Sequence, residues 1–121
     1  VVQDGTGAAV RNPVQEVAGK TGTSDENKSA WFTGYTPKLV TSVGLFGEAA
    51  QDRRTADGKV VKQGAHVSMA GAGGLPRVDG ASFPARIWAA YTFDVMGAPS
   101  EFDLDTEVGR GTRVTVVKWS R

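Results

Sequence analysis

The sequence contains no cysteine, so disulfide bonds and thiolate metal sites are excluded in this chain. It lacks any apolar run near the roughly 18 residues that a membrane-spanning helix requires. No positively charged segment followed by an apolar stretch opens the chain, which begins at Val1 rather than at Met. Excess charge of one sign is missing as well, because 14 basic and 13 acidic residues leave a net charge of +1. Nothing in the charge therefore favours nucleic acid or a membrane surface as a partner.

Glycine is the residue in excess, with 16 copies in a chain of 121 residues, and this excess predicts many turns or a long loop. A hydrophobic fraction of 40% permits a core, and the length permits one domain. We expect residues 1–98 to form the folded part, with an irregular insertion loop over residues 49–81. Residues 99–121 are expected to be a tail of uncertain origin, acidic at first and then basic.

Three β-favouring runs are separated by short polar links and predict an antiparallel three-strand meander. The predicted strands cover Val14–Thr23, Ala30–Tyr35 and Leu39–Glu48. The last of them carries apolar residues on both faces, which is typical of a strand that is covered on both sides.

A helix is predicted for Phe83–Met96, with Ser82 as its N-cap and Gly97 as its end. Apolar residues recur at helical spacing and predict one face that packs on the meander: Phe83, Ile87, Trp88, Tyr91 and Val95. An antiparallel sheet covered by a C-terminal helix places the chain in the α+β class.

The segment Gly19-Lys20-Thr21-Gly22-Thr23 allows three interpretations. A phosphate loop needs a glycine five residues before Gly-Lys-Thr, where this chain has Val14, and a strand cannot form a cradle of backbone amides. A plain edge strand with a solubilising lysine is the simplest alternative. The third interpretation is an acyl-transfer site, because Lys-Thr-Gly on a strand is one element of the serine acyl-enzyme motif set.

Each residue of the Lys-Thr-Gly segment has a chemical reason in the third interpretation. Lys20 would place positive charge beside a developing oxyanion and a substrate carboxylate. The hydroxyls of Thr21 and Thr23 would donate to that carboxylate, and the amide of Thr23 would donate into an oxyanion hole. Gly22 has no side chain, so a peptide can lie along the strand edge as an added strand. Alternation places Lys20 and Gly22 on one face and the two threonines on the other.

The flanks of this segment extend the motif. The stretch "GTGAAVRNPVQEVAGKTGTSDENKSAWFTGYTPKLVTSVGLFGE" resembles the C-terminal part of the transpeptidase domain of class A penicillin-binding proteins. In that family a Gly-Thr-Gly helix end, Val-Ala-Gly-Lys-Thr-Gly-Thr and Ala-Trp-Phe-x-Gly-Tyr-Thr-Pro follow one another. The later "GASFPARIWAAY" resembles the family's Gly-Gly-Ser/Thr-x-Pro-Ala-x-Ile-Trp helix, with Ala81 in place of the second glycine. The resemblance runs from Val1 to Met96 and implies a serine β-lactamase-like fold.

The resemblance implies a peptidoglycan D,D-transpeptidase that cross-links stem peptides through a serine acyl-enzyme. Lys20 and Thr23 would be its catalytic residues, and Thr21, Gly22 and Thr23 would bind substrate. Its partners would be D-Ala-D-Ala stem peptides, β-lactams and the remainder of the parent protein, with no metal or organic cofactor. The domain would sit at the extracytoplasmic face of the cell membrane, anchored by an upstream segment. We expect no nucleic acid partner and no membrane contact from this segment.

Two of the three motifs of that family are missing here. No serine is followed by a lysine three residues later, and no Ser-x-Asn occurs. Because nucleophilic catalysis needs an activated serine, we expect a fragment of a larger enzyme that is inactive alone. One alternative is a non-catalytic remnant or cell-wall-binding module. Another is part of a serine β-lactamase or D,D-carboxypeptidase, although the segment "AWFTGYTP" argues against it.

Other residues that can carry chemistry have simpler interpretations. Trp31, Phe32 and Tyr35 are expected in the core, where aromatic residues on paired strands usually lie. His66 is the only histidine and has no partner pattern, so it is expected to be solvated or locally bonded.

Overall fold

The computed structural model describes residues 1–103. Its regular elements are β1 (Ala18–Thr23), β2 (Ser29–Tyr35), β3 (Val40–Phe46), β4 (Arg53–Arg54), β5 (Val60–Val61) and α1 (Phe83–Met96), with short 3-10 turns at Ala8–Val10 and Ala72–Gly74. Strands β1, β2 and β3 form an antiparallel sheet in that order, and α1 packs on β2 and β3. The predicted α+β chain, with a three-strand antiparallel meander covered by a C-terminal helix, is confirmed.

Polar side chains cap the two turns of the meander. In the turn between β1 and β2, Asn27 adopts a left-handed backbone with φ 53°, and the hydroxyl of Ser24 accepts a hydrogen bond from the amide of Ser29 at 2.9 Å. In the next turn, the hydroxyl of Thr36 accepts one from the amide of Leu39 at 3.1 Å. Because a slip of one residue would turn every side chain to the other face, these caps help to decide which strand residues are buried.

The core lies between the sheet and α1. Phe32 of β2 and Trp88 of α1 are fully buried, with ring centroids 5.4 Å apart in an edge-to-face arrangement. The indole N–H of Trp88 donates to the carbonyl oxygens of Gly34 at 3.3 Å and Thr41 at 2.9 Å. A Cβ on Gly34 would lie 2.9 Å from the indole ring, so this position requires glycine. Packing and hydrogen bonding together fix the helix on the sheet.

The face that α1 buries differs from the predicted one. Trp88 is buried as predicted, whereas three other members of the predicted face are about half exposed: Ile87, Tyr91 and Val95. The residues that the helix buries are Pro84, Ala85, Trp88 and Thr92. The helix is rotated so that the hydroxyl of Thr92 meets that of Thr41 at 3.3 Å, beside the indole hydrogen bonds of Trp88. Spacing alone pointed to the wrong stripe because it takes no account of these polar contacts.

The ends of α1 lie at the predicted residues. Pro84 is in the first turn, and Gly97 follows the last helical residue with φ 67°, a left-handed value that glycine accepts at little cost. Ser82 occupies the N-cap position, but its hydroxyl donates to the carbonyl oxygen of Asp79 at 2.7 Å. The predicted capping hydrogen bond from the Ser82 side chain is therefore not formed.

Strand β1 begins at Ala18, four residues later than predicted. The side-chain oxygen of Asn12 accepts hydrogen bonds from the amides of Val14 at 2.9 Å and Gln15 at 3.1 Å, which forms a turn in place of a strand. The buried side chain of Gln15 then bonds both the amide and the carbonyl oxygen of Ser100. This amide pairing ties the segment before β1 to the chain that follows α1.

Within residues 1–103, the outer face of the sheet, which points away from α1, remains largely exposed. Val40 and Phe46 of β3 are 70% and 48% exposed, so the prediction that this strand is covered on both sides is wrong. Trp31 and Tyr35 of β2 are 40% and 46% exposed on the same face, and of the three predicted core aromatics only Phe32 is buried. Alternation along each strand turns these side chains away from the helix.

Residues 49–81 contain one short hairpin, in which β4 pairs with β5. Gly58 takes φ 82° in the turn between them, a conformation that favours glycine. A backbone bridge joins Glu48 to His66, and the His66 ring lies 5.8 Å from that of Phe46. These contacts bring the loop back against the end of β3. The predicted tail continues beyond residue 103, so its basic stretch 109–121 lies outside the described residues.

Candidate functional site at the edge of β1

The Lys-Thr-Gly-Thr segment forms the last four of the six residues of β1, and β1 is an edge strand of the three-stranded sheet. An extended edge strand offers no concave cradle of amides, so the geometry of a phosphate loop is not present in this segment. Lys20 is exposed, and the three residues after it are half-buried. What the segment can bind therefore depends on the direction in which each polar group points.

Lys20 and Gly22 face the outer side of the sheet, where they stand opposite Thr33 and Trp31 of β2. The ammonium group of Lys20 donates to the carbonyl oxygen of Thr21 at 3.0 Å. No carboxylate among the residues that the structure describes forms a salt bridge with Lys20. The positive charge thus lies along the open edge of its own strand, where an anion can approach it.

Thr21 and Thr23 face the opposite side, as alternation predicts. The hydroxyl oxygen of Thr21 is 2.9 Å from that of Thr6, and the hydroxyl of Thr23 accepts a hydrogen bond from the amide of Gly80 at 3.2 Å. The structure therefore does not bring these hydroxyls to the same face as Lys20. A ligand on the threonine face would have to share the hydroxyls with Thr6 and Gly80.

The backbone of β1 supplies a further row of polar groups. The amide of Ser24 donates to the carbonyl oxygen of Ser29 at 3.0 Å, which makes these two residues a hydrogen-bonded pair. Bonded and non-bonded pairs alternate in an antiparallel ladder, so the next bonded residue along β1 is Gly22. The N–H and C=O groups of Thr21 and Thr23 consequently point out of the sheet. An extended peptide can pair with this edge as a fourth strand.

Gly80 packs against Thr21 and Gly22 on one side of the Lys-Thr-Gly-Thr segment. The sequence did not predict this contact, because Gly80 was noted only as part of the motif that begins the helix. A Cβ on Gly80 would lie 2.9 Å from the Cβ of Thr21 and 3.0 Å from the amide nitrogen of Gly22. Only glycine permits this close approach of the two backbones. The signal that was available is a glycine between Asp79 and the predicted helix, in a chain where most glycines mark turns.

A shallow cleft of about 560 Å³ lies beside Lys20. Its walls include Val2 and Val17 before β1, together with Thr33 and Tyr35 of β2. Among the residues that the structure describes, Lys20 is the only charged side chain in a lining that is otherwise largely apolar. Ligand-binding clefts in proteins usually measure roughly 300–1,000 Å³ and combine apolar walls with a few polar groups. An anionic group on a partly apolar ligand fits this combination.

The turn between β1 and β2 contains a second residue that sequence reasoning missed. Asn27 is 5% exposed, its side-chain oxygen accepts a hydrogen bond from the amide of Val78 at 2.9 Å, and its side-chain nitrogen donates to the carbonyl oxygen of the same residue. The amide of Met69 donates to the backbone carbonyl oxygen of Asn27 at 2.8 Å. Asn27 therefore locks the end of β1 to residues 69–78. Asparagine is favoured in polar turns because it tolerates a left-handed backbone.

The residues on either side of Asn27 form an exposed ion pair between Glu26 and Lys28. The hydrogen bond from Lys28, followed by its positive charge, holds the pKa of Glu26 below the ordinary value of 4.5. Both charges lie on the surface of the turn rather than in the cleft beside Lys20.

Within residues 1–103, no three histidine, aspartate or glutamate side chains lie close enough together to hold a metal ion. No helix in this part of the chain is both long and apolar enough to cross a membrane. The polar groups at the β1 edge are an ammonium group, two hydroxyls and a row of outward-facing backbone groups.

Short segments of the chain match penicillin-binding protein 1A from several bacteria. The Rickettsia typhi protein is 51% identical over 39 residues, which are 32% of this chain and 5% of that relative. The Neisseria flavescens protein is 57% identical over 28 residues, 23% of this chain and 4% of that relative. Over these segments the chain is similar to penicillin-binding protein 1A. The match spans only about a twentieth of the curated relatives' length. No family model matches the chain, and no solved structure matches it significantly.

Proposed function

We propose that this chain is part of a peptidoglycan D,D-transpeptidase with a serine β-lactamase-like fold. Its β1 edge would be the strand on which the donor stem peptide and β-lactams dock. The observation that carries the proposal is the open edge of β1, where a cation, a glycine and outward-facing backbone groups follow one another. The local matches to penicillin-binding protein 1A support the family.

In the proposed reaction, the stem peptide lies along β1, and Lys20 places its positive charge beside both the terminal D-alanine carboxylate and the developing oxyanion. A serine of the parent protein attacks the carbonyl carbon of the penultimate D-alanine, the new Ser–O–C bond forms, and the terminal D-alanine leaves. The amide of Thr23 points out of the sheet and would donate to the oxyanion of the tetrahedral intermediate. The amine of a neighbouring stem peptide then takes the acyl group and releases the serine.

The remaining residues of the motif would position the peptide. Gly22 leaves the edge free of a side chain, so the substrate backbone can approach closely enough to pair with it. The hydroxyls of Thr21 and Thr23 lie on the far face and reach a ligand only around the strand edge. Around that edge they would help to orient the substrate carboxylate. They would also hold Gly80 in place, because the hydroxyl of Thr23 accepts a hydrogen bond from the Gly80 amide and Thr21 packs against Gly80.

This chain contains neither the nucleophilic serine with its lysine nor the second motif, so it would not form an acyl-enzyme by itself. The parent protein would supply both, together with a membrane anchor outside this segment. The proposed location is the extracytoplasmic face of the cell membrane, where peptidoglycan stem peptides are found.

A fluorescent penicillin tests the proposal. Membranes of the source cells are labelled and separated under denaturing conditions, and peptides from each band are sequenced. Peptides from residues 12–38 are expected in a labelled band much larger than 12.7 kDa. The same peptides found only in an unlabelled band near 12.7 kDa would contradict the proposal.

A pair of lysine variants of the labelled protein tests the role of β1. Removing a group that stabilises the oxyanion costs about 10²–10³-fold in rate, so Lys20→Ala should slow penicillin labelling by about that factor. Lys38→Ala, which removes an equally exposed lysine from the turn after β2, should label at the rate of the unchanged protein. Equal labelling of the two variants would show that Lys20 has no part in acylation.

A further inference from the structure

A second groove lies at the other end of the sheet, away from the cleft beside Lys20. It is bounded by the β4–β5 hairpin, by residues 65–68 and by Lys28 from the turn between β1 and β2. Its volume is about 510 Å³, close to that of the cleft beside Lys20. We call it the hairpin groove. Nothing in the proposed transpeptidase reaction uses it.

The hairpin groove is lined by cations. Among the described residues its lining contains no carboxylate and four basic side chains: Lys28, Arg53, Lys59 and Lys62. Two of them pair with carboxylates that lie outside the lining, Lys28 with Glu26, and Lys62 with Asp52 at 2.8 Å. Arg53 and Lys59 form no ion pair with any residue that the structure describes. Two positive charges in the groove therefore lack a carboxylate within salt-bridge distance.

The excess of positive charge is confined to the hairpin groove and is not a property of the whole chain. The net charge of all 121 residues is only +1. The cations also act on one shared region, because the charge of Lys59 adds to the hydrogen bond and charge of Lys28 in lowering the pKa of Glu26. Charge concentrated in a concave surface attracts an anion more strongly than the same charge spread over the exterior.

The chemistry of the lining fits a phosphate group. Arginine presents a planar fork of N–H donors that matches phosphate oxygens, and lysine adds a mobile point charge. The hydroxyl of Ser68 accepts a hydrogen bond from the amide of Ala70 at 3.2 Å and keeps its own proton available to donate. A phosphate group offers several acceptor oxygens and more negative charge than a carboxylate. It can therefore bind Arg53 and Lys59 at the same time more strongly than a carboxylate can.

We propose that the hairpin groove binds a phosphate-bearing ligand, held by Arg53 and Lys59 with Lys28 and Lys62 at its sides. Val61 and Val67 add apolar surface to the groove, which can accommodate the carbon skeleton next to the phosphate. The proposal does not depend on the transpeptidase assignment, because it uses no residue of the β1 edge.

Isothermal titration of the 121-residue chain with inorganic pyrophosphate at low ionic strength tests the groove. The double variant Arg53→Gln with Lys59→Gln removes both uncompensated charges from exposed positions. The matched control, Lys38→Gln with Arg86→Gln, removes the same charge from exposed positions outside the groove. Hydrogen bonds to charged groups contribute enough that the groove variant should bind at least about tenfold more weakly, while the control changes by less than about twofold.

Vesicles distinguish the two sources of phosphate. The chain is sedimented with vesicles of phosphatidylglycerol, and with vesicles of phosphatidylcholine as a neutral control. Binding to phosphatidylglycerol that the groove variant loses and the control variant keeps identifies a lipid headgroup, and binding to pyrophosphate alone identifies a soluble phosphate. The proposal is overturned if neither probe binds, or if both double variants lose equal affinity. If the urea unfolding curve of the groove variant is unchanged, its weaker binding cannot be attributed to unfolding.

Discussion

Two tryptophans lie on opposite faces of the same sheet, and each rests on a glycine of a neighbouring element. Trp88 packs against Gly34 on the inner face, where a Cβ would lie 2.9 Å from the indole. Trp31 packs against Gly44 on the outer face, where a Cβ would lie 2.6 Å from the ring. The steric relation is nearly the same, but Trp88 is fully buried and Trp31 is 40% exposed.

The two tryptophans also differ in polar contacts. The indole N–H of Trp88 donates to two backbone carbonyl oxygens, on Gly34 and Thr41. The indole N–H of Trp31 forms no hydrogen bond with any residue that the structure describes, and its ring makes an edge-to-face contact with Phe46, with centroids 5.3 Å apart. Packing of a tryptophan ring on a glycine therefore does not by itself bury the ring. The inner face is buried because a helix covers it, and its buried indole donor is satisfied by two carbonyl oxygens.

Replacing each tryptophan by alanine should give the largest difference between the faces. Trp88→Ala leaves a cavity and two carbonyl oxygens without their donor, so it should lower the free energy of unfolding by about 3–5 kcal/mol. Trp31→Ala removes a half-exposed ring and should cost about 1–2 kcal/mol. Urea unfolding of the chain, followed by circular dichroism, measures both. Equal losses would mean that the outer face is as tightly packed as the inner one.

Two asparagines extend the comparison to polar side chains. Asn27→Ala removes both hydrogen bonds to the backbone of buried Val78 and places alanine at φ 53°, so it should cost about 2–3 kcal/mol. Asn12→Ala removes two hydrogen bonds in a more accessible turn, where water can replace them, and should cost about 1 kcal/mol. The same unfolding experiment compares them. A larger loss for Asn12→Ala would contradict the view that burial decides the cost.

Substitution of the two glycines on which the tryptophans pack, Gly34 and Gly44, should give a smaller difference in the free energy of unfolding. Gly34→Ala forces a methyl group between the rings of Phe32 and Trp88, neither of which can move, and should destabilise the chain by about 1–3 kcal/mol. At Gly44 the half-exposed ring of Trp31 can swing away into solvent, so Gly44→Ala should cost less than about 1 kcal/mol. If the second substitution proves as costly as the first, Trp31 is held by something other than its glycine.

Much of this architecture could be predicted from the sequence because it depends on local patterns. Alternation along β1 correctly separates Lys20 from Thr21, and a glycine correctly ends α1. The rotation of α1 could not be predicted, because the hydroxyl pair of Thr92 and Thr41 joins positions far apart in the chain. The hydrogen bonds between the Asn27 side chain and the Val78 backbone could not be predicted for the same reason, since no local pattern indicates which backbone groups a turn residue will contact.

The same limit explains what was missed at the β1 edge. The motif residues were found because their types and order are characteristic. Gly80 was not, because its role arises only when residues far along the chain fold back against β1. Two further expectations failed: β1 begins later than predicted because the side chain of Asn12 forms a turn before it, and two of the three strand aromatics lie on the exposed face of the sheet. Periodicity identifies an element, whereas long-range contacts decide which of its residues are covered.

The smallest expected effect belongs to the exposed β4–β5 hairpin, where an acidic side chain forms an ion pair on the surface. A hydrogen bond from the side chain of Lys62, followed by one from the amide of Gln63, holds the pKa of Asp52 below its ordinary value of 3.8. A carboxyl group whose pKa is lower in the folded state contributes stability above the unfolded pKa. That contribution is lost as the pH falls through the folded value, which lies below 3.8.

Asp52→Asn should therefore lower the melting temperature slightly at neutral pH and make it fall less steeply on acidification below about pH 4. Asp94→Asn, which changes an exposed aspartate outside every ion pair of the described residues, serves as the matched control. High salt should shrink the effect of Asp52→Asn, because exposed charges are screened. Trp88→Ala should keep its full effect in the same salt. A salt-insensitive loss in Asp52→Asn would contradict the view that this carboxylate stabilises the chain as a screened surface charge.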